Sequence, residues 1–369
     1  MIPHSAIVIG DSFNNTLGLI RSLGEGGIDQ TLILVGESDR MFVSKSRYLK
    51  KSQVFRIRSI DECMPILLRL NNGMRNQVIM CTNDPAVAYV DKHESELSEL
   101  FITPMSGRHL EEYLNKDAQC RLAERCGFDV PRSCTYHTEG AFPESIGYPL
   151  LLKPLYSTKG MKSDIHICSN ETELKEALET NTACREFVVQ EFINKEYEIN
   201  IIGISTDWGV LAPGGIRKIR HYPTVCSPCS FGQYRPIADF AFEMPPLERF
   251  MDEVGYRGLF SVELLHKNGK NYFMEVNFRH DGLAYTVTSA GINLPRAYMS
   301  FEKPADEYKI KDVYMMDLSI DFCHVKDKVL TLNEWLIDFL KTGCQLNFNK
   351  RDLPPTLYYY LNKLKRFRK

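Results

Sequence analysis

The chain has 369 residues, enough for two or three domains with substantial cores. Lys plus Arg number 45 against 47 Asp plus Glu, a formal net charge of -2, which argues against a protein built to coat nucleic acid. No apolar run approaches the ~18 residues of a membrane span, and Met1-Ile2-Pro3-His4 lacks the basic start and apolar stretch of a signal peptide, so a cytoplasmic protein is expected.

The eleven cysteines are scattered, as free thiols in a reducing compartment are. The one local pair, Cys226-Ser-Pro-Cys229 with His221 upstream, has no second ligand pair near it and reads as a Pro-rich loop rather than a metal site.

In chain order, the first ~115 residues alternate short apolar strands with amphipathic helices, the pattern of an open α/β sheet. Ala6-Ile7-Val8-Ile9 reads as a buried strand, Gly10 to Asn15 as its turn, and Thr16 to Leu23 as a helix stopped by Gly24, Gly26 and Gly27. Strands follow at Thr31 to Val35 and Gln77 to Cys81. The loops Gly10 to Asn15 and Thr82 to Asp84 then mark a candidate crevice. Asp117 to Cys126 reads as a helix ended by Gly127. The strand Leu150 to Lys153, Asp164 to Cys168, the helix Asn170 to Leu178 and Glu186 to Ile193 make a small α+β unit. A strand-rich part runs to about Met299, then a helix at Leu332 to Lys341 and a basic, aromatic end from Tyr358 to Lys369. The expected division is 1–115, 116–193, 194–303 and 304–369.

Four features carry chemistry. Lys153 ends an apolar strand before Ser157-Thr158-Lys159-Gly160. A buried-strand lysine holds a phosphate as a fixed point charge, and a hydroxyl, lysine and glycine loop can close over the rest. Val188-Val189-Gln190-Glu191-Phe192-Ile193 can offer strand-edge hydrogen bonds to a purine, with Glu196 or Glu198 accepting from ribose hydroxyls. Glu263, Glu275 and Asn277 lie in apolar strands flanking Lys267-Asn268-Gly269-Lys270, and hard oxygen donors facing each other suit Mg²⁺. A two-residue Asn-Gly turn would set Glu263 against Met274, so this reading requires a three-residue loop with Gly269 left-handed. Arg279 then sits just past the metal, ready for a phosphate or a substrate carboxylate. Finally, Pro213-Gly214-Gly215 precedes Arg217, Lys218 and Arg220, cations able to neutralise a transferring phosphoryl group or to form a solvated basic turn.

In this order, Lys116-Asp117, Leu151-Leu152-Lys153-Pro154, Gln190-Glu191-Phe192-Ile193, Glu263 and Glu275-Val276-Asn277-Phe278-Arg279 resemble the ATP-grasp superfamily. The chain looks closest to the carbamoyl phosphate synthetase-like and D-aspartate ligase-like carboxylate–amine ligases. The resemblance spans roughly residues 1 to 300. It implies an α+β ATP-grasp fold behind an N-terminal open parallel-sheet domain, with a lid at about 117–190. It implies Lys116 and Lys153 on ATP phosphates, Glu191 and Ile193 at adenine, and Mg²⁺ (or Mn²⁺) on the Glu/Glu/Asn set. The implied reaction phosphorylates a small-molecule carboxylate, whose acylphosphate an amine then attacks, with Arg279, Arg217 and Lys218 as the catalytic cations. The family's Asn-Pro-Arg stands here as Asn277-Phe278-Arg279, and only Gly160 remains of its glycine-rich phosphate loop.

Two rival readings remain. Ser12, Asp321 and His324 sit in short blocks like those of GDSL-type esterases, which would leave the series from Lys153 to Arg279 without a reason. A nucleotide-binding protein without ligase activity is the other. The tail can be read as a basic amphipathic helix touching an anionic membrane or a partner, with a solvated terminus the favoured reading.

Overall fold

The computed structural model describes residues 5–36, 41–104, 110–143, 145–155, 165–180, 184–225, 227–301 and 310–366. Three sheets organise them.

The first is parallel, in the order β3-β2-β1-β4, formed by β1 (Ser5–Gly10), β2 (Asp29–Val35), β3 (Val54–Ile57) and β4 (Gln77–Cys81). The continuous apolar run of β1 is explained by burial on both faces: Ile7 and Ile9 feed one core, Ala6 and Val8 another. β1 lies between β2 and β4, so the strand order reverses there. The loops after β1 and β4 therefore open a crevice at the sheet's carboxyl edge.

The second sheet is antiparallel, order β5-β8-β6-β7, from β5 (Ser133–His137), β6 (Leu150–Pro154), β7 (His166–Cys168) and β8 (Glu186–Glu191). Leu150, Leu152, Phe187 and Val189 pack with Leu174 and Ala177 of the helix Glu171–Thr180. By the two-residue alternation of strands, Lys153 and Gln190 fall on the sheet's other face.

The third sheet has seven strands, β13-β12-β9-β10-β11-β14-β15. Its members are β9 (Tyr197–Thr206), β10 (Gly209–His221), β11 (Cys229–Pro236), β12 (Leu259–Lys267), β13 (Lys270–Asn277), β14 (Val313–Met316) and β15 (Thr342–Gln345). On β9, Ile199 and Ile201 enter one core and Ile202 and Ile204 another. Glu198 and Asn200 continue the Ile202 face, which passes from apolar packing to a polar surface along one strand.

Two expectations change here. Pro213-Gly214-Gly215 is strand interior rather than a solvated turn. A Cβ at Gly214 would lie 2.3 Å from the Arg235 carbonyl oxygen, so glycine lets β10 and β11 close up. The tail is helical over Leu353–Arg366, and Tyr359 meets Phe42 edge-on at 5.5 Å. The segment from residue 310 also completes the large sheet with β14 and β15.

Candidate active site

Asn268-Gly269 closes the β12–β13 hairpin as a two-residue turn, with φ of 51° and 75° and Lys267 paired with Lys270. The three-residue loop is therefore wrong: two positive-φ residues match the right-handed twist of the strands, which Asn-Gly favours. Parity changes further along. Leu264 pairs with Phe273 but Glu263 pairs with Glu275, leaving Met274 as a bulge. Glu263 and Glu275 thus face each other directly, and Ser261 lies opposite Asn277. β13 is the sheet's edge, where its backbone would lack partners. Gln119, on the helix Lys116–Cys126, supplies them. Its Nε2 donates to the Val276 carbonyl at 3.1 Å and its Oε1 accepts from the Val276 N–H at 2.7 Å.

Cations converge on these carboxylates. Lys116 Nζ lies 2.5 Å from Glu275 Oε2, and that carboxylate holds the lysine's pKa up against its burial. Lys218 Nζ lies 2.9 Å from Glu263 Oε2 and 3.1 Å from Glu198 Oε2, with its side chain only 8% exposed. Burial pulls its pKa down, but Glu263 and Glu198 outweigh burial and the net direction is up. Lys195 also pairs with Glu198, and His221 Nε2 is 3.9 Å away. Lys153 is buried and donates to Gln190 Oε1 at 3.2 Å. Burial lowers its pKa, and Cys120, Lys116 and Glu275 act on it electrostatically, which couples the second sheet's lysine to the Lys116–Glu275 pair. Gln190 Nε2 is buried without a partner among the described residues.

The crevice of the first sheet adjoins this cluster. Arg279 donates from Nη2 to Asn277 Oδ1 at 3.0 Å and from Nε to Asp84 Oδ1 at 2.6 Å. Asp84 opens the helix Asp84–Lys92 that follows β4. Asn83, its N-cap, donates to Asp11 Oδ2 at 3.0 Å, and burial pushes the Asp11 carboxyl up.

Other residues singled out from the sequence make no contact with the carboxylate cluster among the interactions described below. Arg217 neighbours Lys218 on one strand and so points to the opposite face. It sits over the Tyr197 ring at 4.2 Å, and Tyr197 stacks on His266. Glu196 accepts from the Asn268 N–H at 2.9 Å, at the hairpin turn. Glu191 pairs with Arg132 at 3.1 Å, the Phe192 N–H donates to the Pro149 carbonyl at 3.3 Å, and Ile193 is buried. Ser157, Lys159, Gly160 and Cys226 lie outside the described residues. The esterase trio is not assembled. Ser12 Oγ accepts from the Val43 N–H, whereas Asp321 takes Arg220 and Ser230, and His324 Nε2 lies 3.4 Å from Ser230 Oγ. The sequence alone does not mark Gln119 or Lys195. The only hint was Gln119's place three residues after Lys116, one turn along the same helix.

Residues 121–293 match the family model for the ATP-grasp domain. This stretch of the chain is similar to the ATP-grasp domain. Among curated relatives, the formate-dependent phosphoribosylglycinamide formyltransferase of Wolinella succinogenes is 29% identical over 163 residues, 39% of this chain and 38% of that protein. The carbamoyl phosphate synthase large chain of Halomonas eurihalina is 27% identical over 166 residues, 43% of this chain and 15% of that protein. The chain thus aligns with well under half the length of these relatives. Among solved structures, an ADP complex of N5-carboxyaminoimidazole ribonucleotide synthetase superposes with a TM-score of 0.67 at 16% identity, covering 89% of this chain and 86% of that one. An L-amino acid ligase from Bacillus licheniformis gives a TM-score of 0.64 at 15% identity, covering 85% and 80%. These likenesses show a shared fold that extends beyond the matched residues, over most of the chain.

Proposed function

We propose that the chain is an ATP- and Mg²⁺-dependent carboxylate–amine ligase that forms an amide-type bond through an acylphosphate and releases ADP and phosphate. The observation that carries this reading is the facing pair Glu263 and Glu275 with Asn277, ringed by Lys116 and Lys218 and bordered by Arg279 at the crevice.

The donor chemistry fits Mg²⁺. Among the described residues there is no group of three or more His, Cys, Asp or Glu able to hold a metal ion, so a closed protein cage is not expected. Two carboxylates and an amide oxygen instead suit a cation that keeps its remaining positions for water and phosphate oxygens. When bound, the cation neutralises charge on the phosphates. The unpartnered Gln190 Nε2 beside Lys153 supports a ligand acceptor at that point.

In this reading Lys153 and Lys116 bind phosphates as point charges, with Ser157, Lys159 and Gly160 closing over them. Gln190, Glu191, Phe192 and Ile193 border the adenine. Glu196 or Glu198 takes the ribose, Glu196 lying at the hairpin turn and Glu198 paired with Lys195 and Lys218. Lys218 and Arg279 stabilise the transferring phosphoryl group and the substrate carboxylate, and Asp84 fixes the guanidinium. The amine then attacks the acyl carbon and phosphate leaves, a step that needs positioning and water exclusion rather than a protein nucleophile. The substrates are a small-molecule carboxylate and an amine, and the ten described cysteines, all free, fit a reducing cytoplasm.

ADP release measured across panels of carboxylates and amines tests the proposal. At least one pair should stimulate it, and Glu275→Ala should lower the stimulated rate 100-fold or more while melting near the wild type. ADP binding with no stimulation by any pair would favour the non-ligase reading. Unchanged turnover in Glu275→Ala would remove the metal assignment.

A further inference from the structure

The carboxylates assigned to the cation already hold lysines. Glu275 has Lys116 at 2.5 Å, and Glu263 has Lys218 at 2.9 Å. With Glu198 and Lys195 included, three carboxylates meet three ammonium groups in one cluster. Formal charge is therefore balanced before any ligand arrives. A divalent ion approaching alone would meet ammonium groups hydrogen-bonded to its own ligands, and would have to displace at least one into solvent. A nucleotide changes that balance, because its phosphates offer a displaced lysine a new anionic partner.

The two lysines are not equally able to leave. Lys218 is 8% exposed, bridges two carboxylates and sits in the interior of β10. Lys116 is 34% exposed and is the first residue of its helix, where the side chain swings without disturbing the helical ladder. Lys116 helps burial to hold the pKa of Lys153 down, so the two ammonium groups feel each other, and phosphates bound at Lys153 would draw on Lys116 as well. Gln119 holds the strand carrying Glu275 independently of the lysine, so the carboxylate keeps its place when Lys116 departs.

We infer that Lys116 is a built-in counter-ion that closes Glu275 to divalent cations until a nucleotide arrives, so that the nucleotide binds first and the cation follows it. This rests on the nucleotide-site reading above, and it assigns Lys116 a role besides phosphate binding: keeping the empty site free of metal.

Two measurements on the full chain separate the inference from the reading beneath it. The first is calorimetric titration of ADP in the presence of EDTA. Binding to the wild type is expected, and its absence would overturn the nucleotide-first order. The second is titration of Mn²⁺ alone, free Mn²⁺ being followed by electron paramagnetic resonance. Lys116→Met should bind Mn²⁺ at least ten times more tightly than the wild type, and adding Glu275→Gln should abolish the gain. Unchanged or weaker binding by Lys116→Met overturns the counter-ion role and leaves the ligase reading standing. A gain that survives Glu275→Gln shows that the ion sits elsewhere and overturns both. Lys116→Gln, which keeps a helix-forming side chain without the charge, repeats the comparison should Lys116→Met fail to fold.

Discussion

His280 follows Arg279 immediately, and its Nδ1 lies 2.9 Å from the Asn15 carbonyl oxygen, which joins the large sheet to the first helix of the chain. Burial lowers its pKa to about 4. The unfolded chain therefore takes up this proton near pH 6.5, whereas the folded protein resists it until about pH 4. Stability from this group is complete above pH 6.5, falls as pH drops toward 4, and is lost in full below that. The total is on the order of 3 kcal/mol. Denaturant melts of wild type and His280→Gln between pH 7.5 and 4.5 should converge as pH falls. Parallel curves would remove His280 as a source of the acid lability. At this scale much of the site was legible. Glutamates inside apolar strands are costly unless they have work to do, which singles out Glu263 and Glu275. Arg217 departs from the sequence expectation because Pro-Gly-Gly suggests a turn, where neighbouring side chains can share a direction. In the strand that forms, only one of Arg217 and Lys218 can face the site.

Gln119 has no local signature, since a helix glutamine reads as an ordinary polar position. Its significance appears only once β13 is known to be an edge strand lying against that helix. Gln119→Leu would leave the Val276 N–H and carbonyl unpaired, at a cost of about 1–3 kcal/mol. Glu275 and Asn277 flank Val276, so ADP–Mg²⁺ affinity should fall along with the denaturation midpoint. A drop in stability with unaltered ADP–Mg²⁺ affinity would mean that the clamp serves the fold alone. The same hairpin shows the limits of register arguments. The Asn-Gly signal correctly marks the turn, yet the facing of the two glutamates depends on Met274, a mid-strand bulge that no turn rule reveals.

At the scale of the molecule, the chain's end is bound to its beginning. Arg21 and Asp352 are both fully buried and lie 3.1 Å apart, Arg21 Nη1 donates to the Leu346 carbonyl at 2.8 Å, and the Arg47 N–H donates to Asp352 Oδ1 at 2.8 Å. Removing one partner of a buried pair strands the other charge, so Asp352→Ala should cost about 3–5 kcal/mol in chemical denaturation. A cost below ~1 kcal/mol would place this contact among solvent-screened surface pairs. Such long-range polar pairing is invisible to periodicity, which is why the sequence alone sets residues 304–369 apart as a division of their own. The alternation of strands and helices in the first 115 residues, by contrast, follows from local patterning and was readable. The account as a whole turns on nucleotide phosphates lying between Lys153 and the Glu263–Glu275 pair. The most direct test is the shift in melting temperature caused by saturating ADP–Mg²⁺ in wild type and in Lys153→Met. At 100 times Kd, ligand adds about 2.7 kcal/mol to the wild type, so a rise of several degrees is expected there and little or none in Lys153→Met. An equal rise in both proteins would contradict the account.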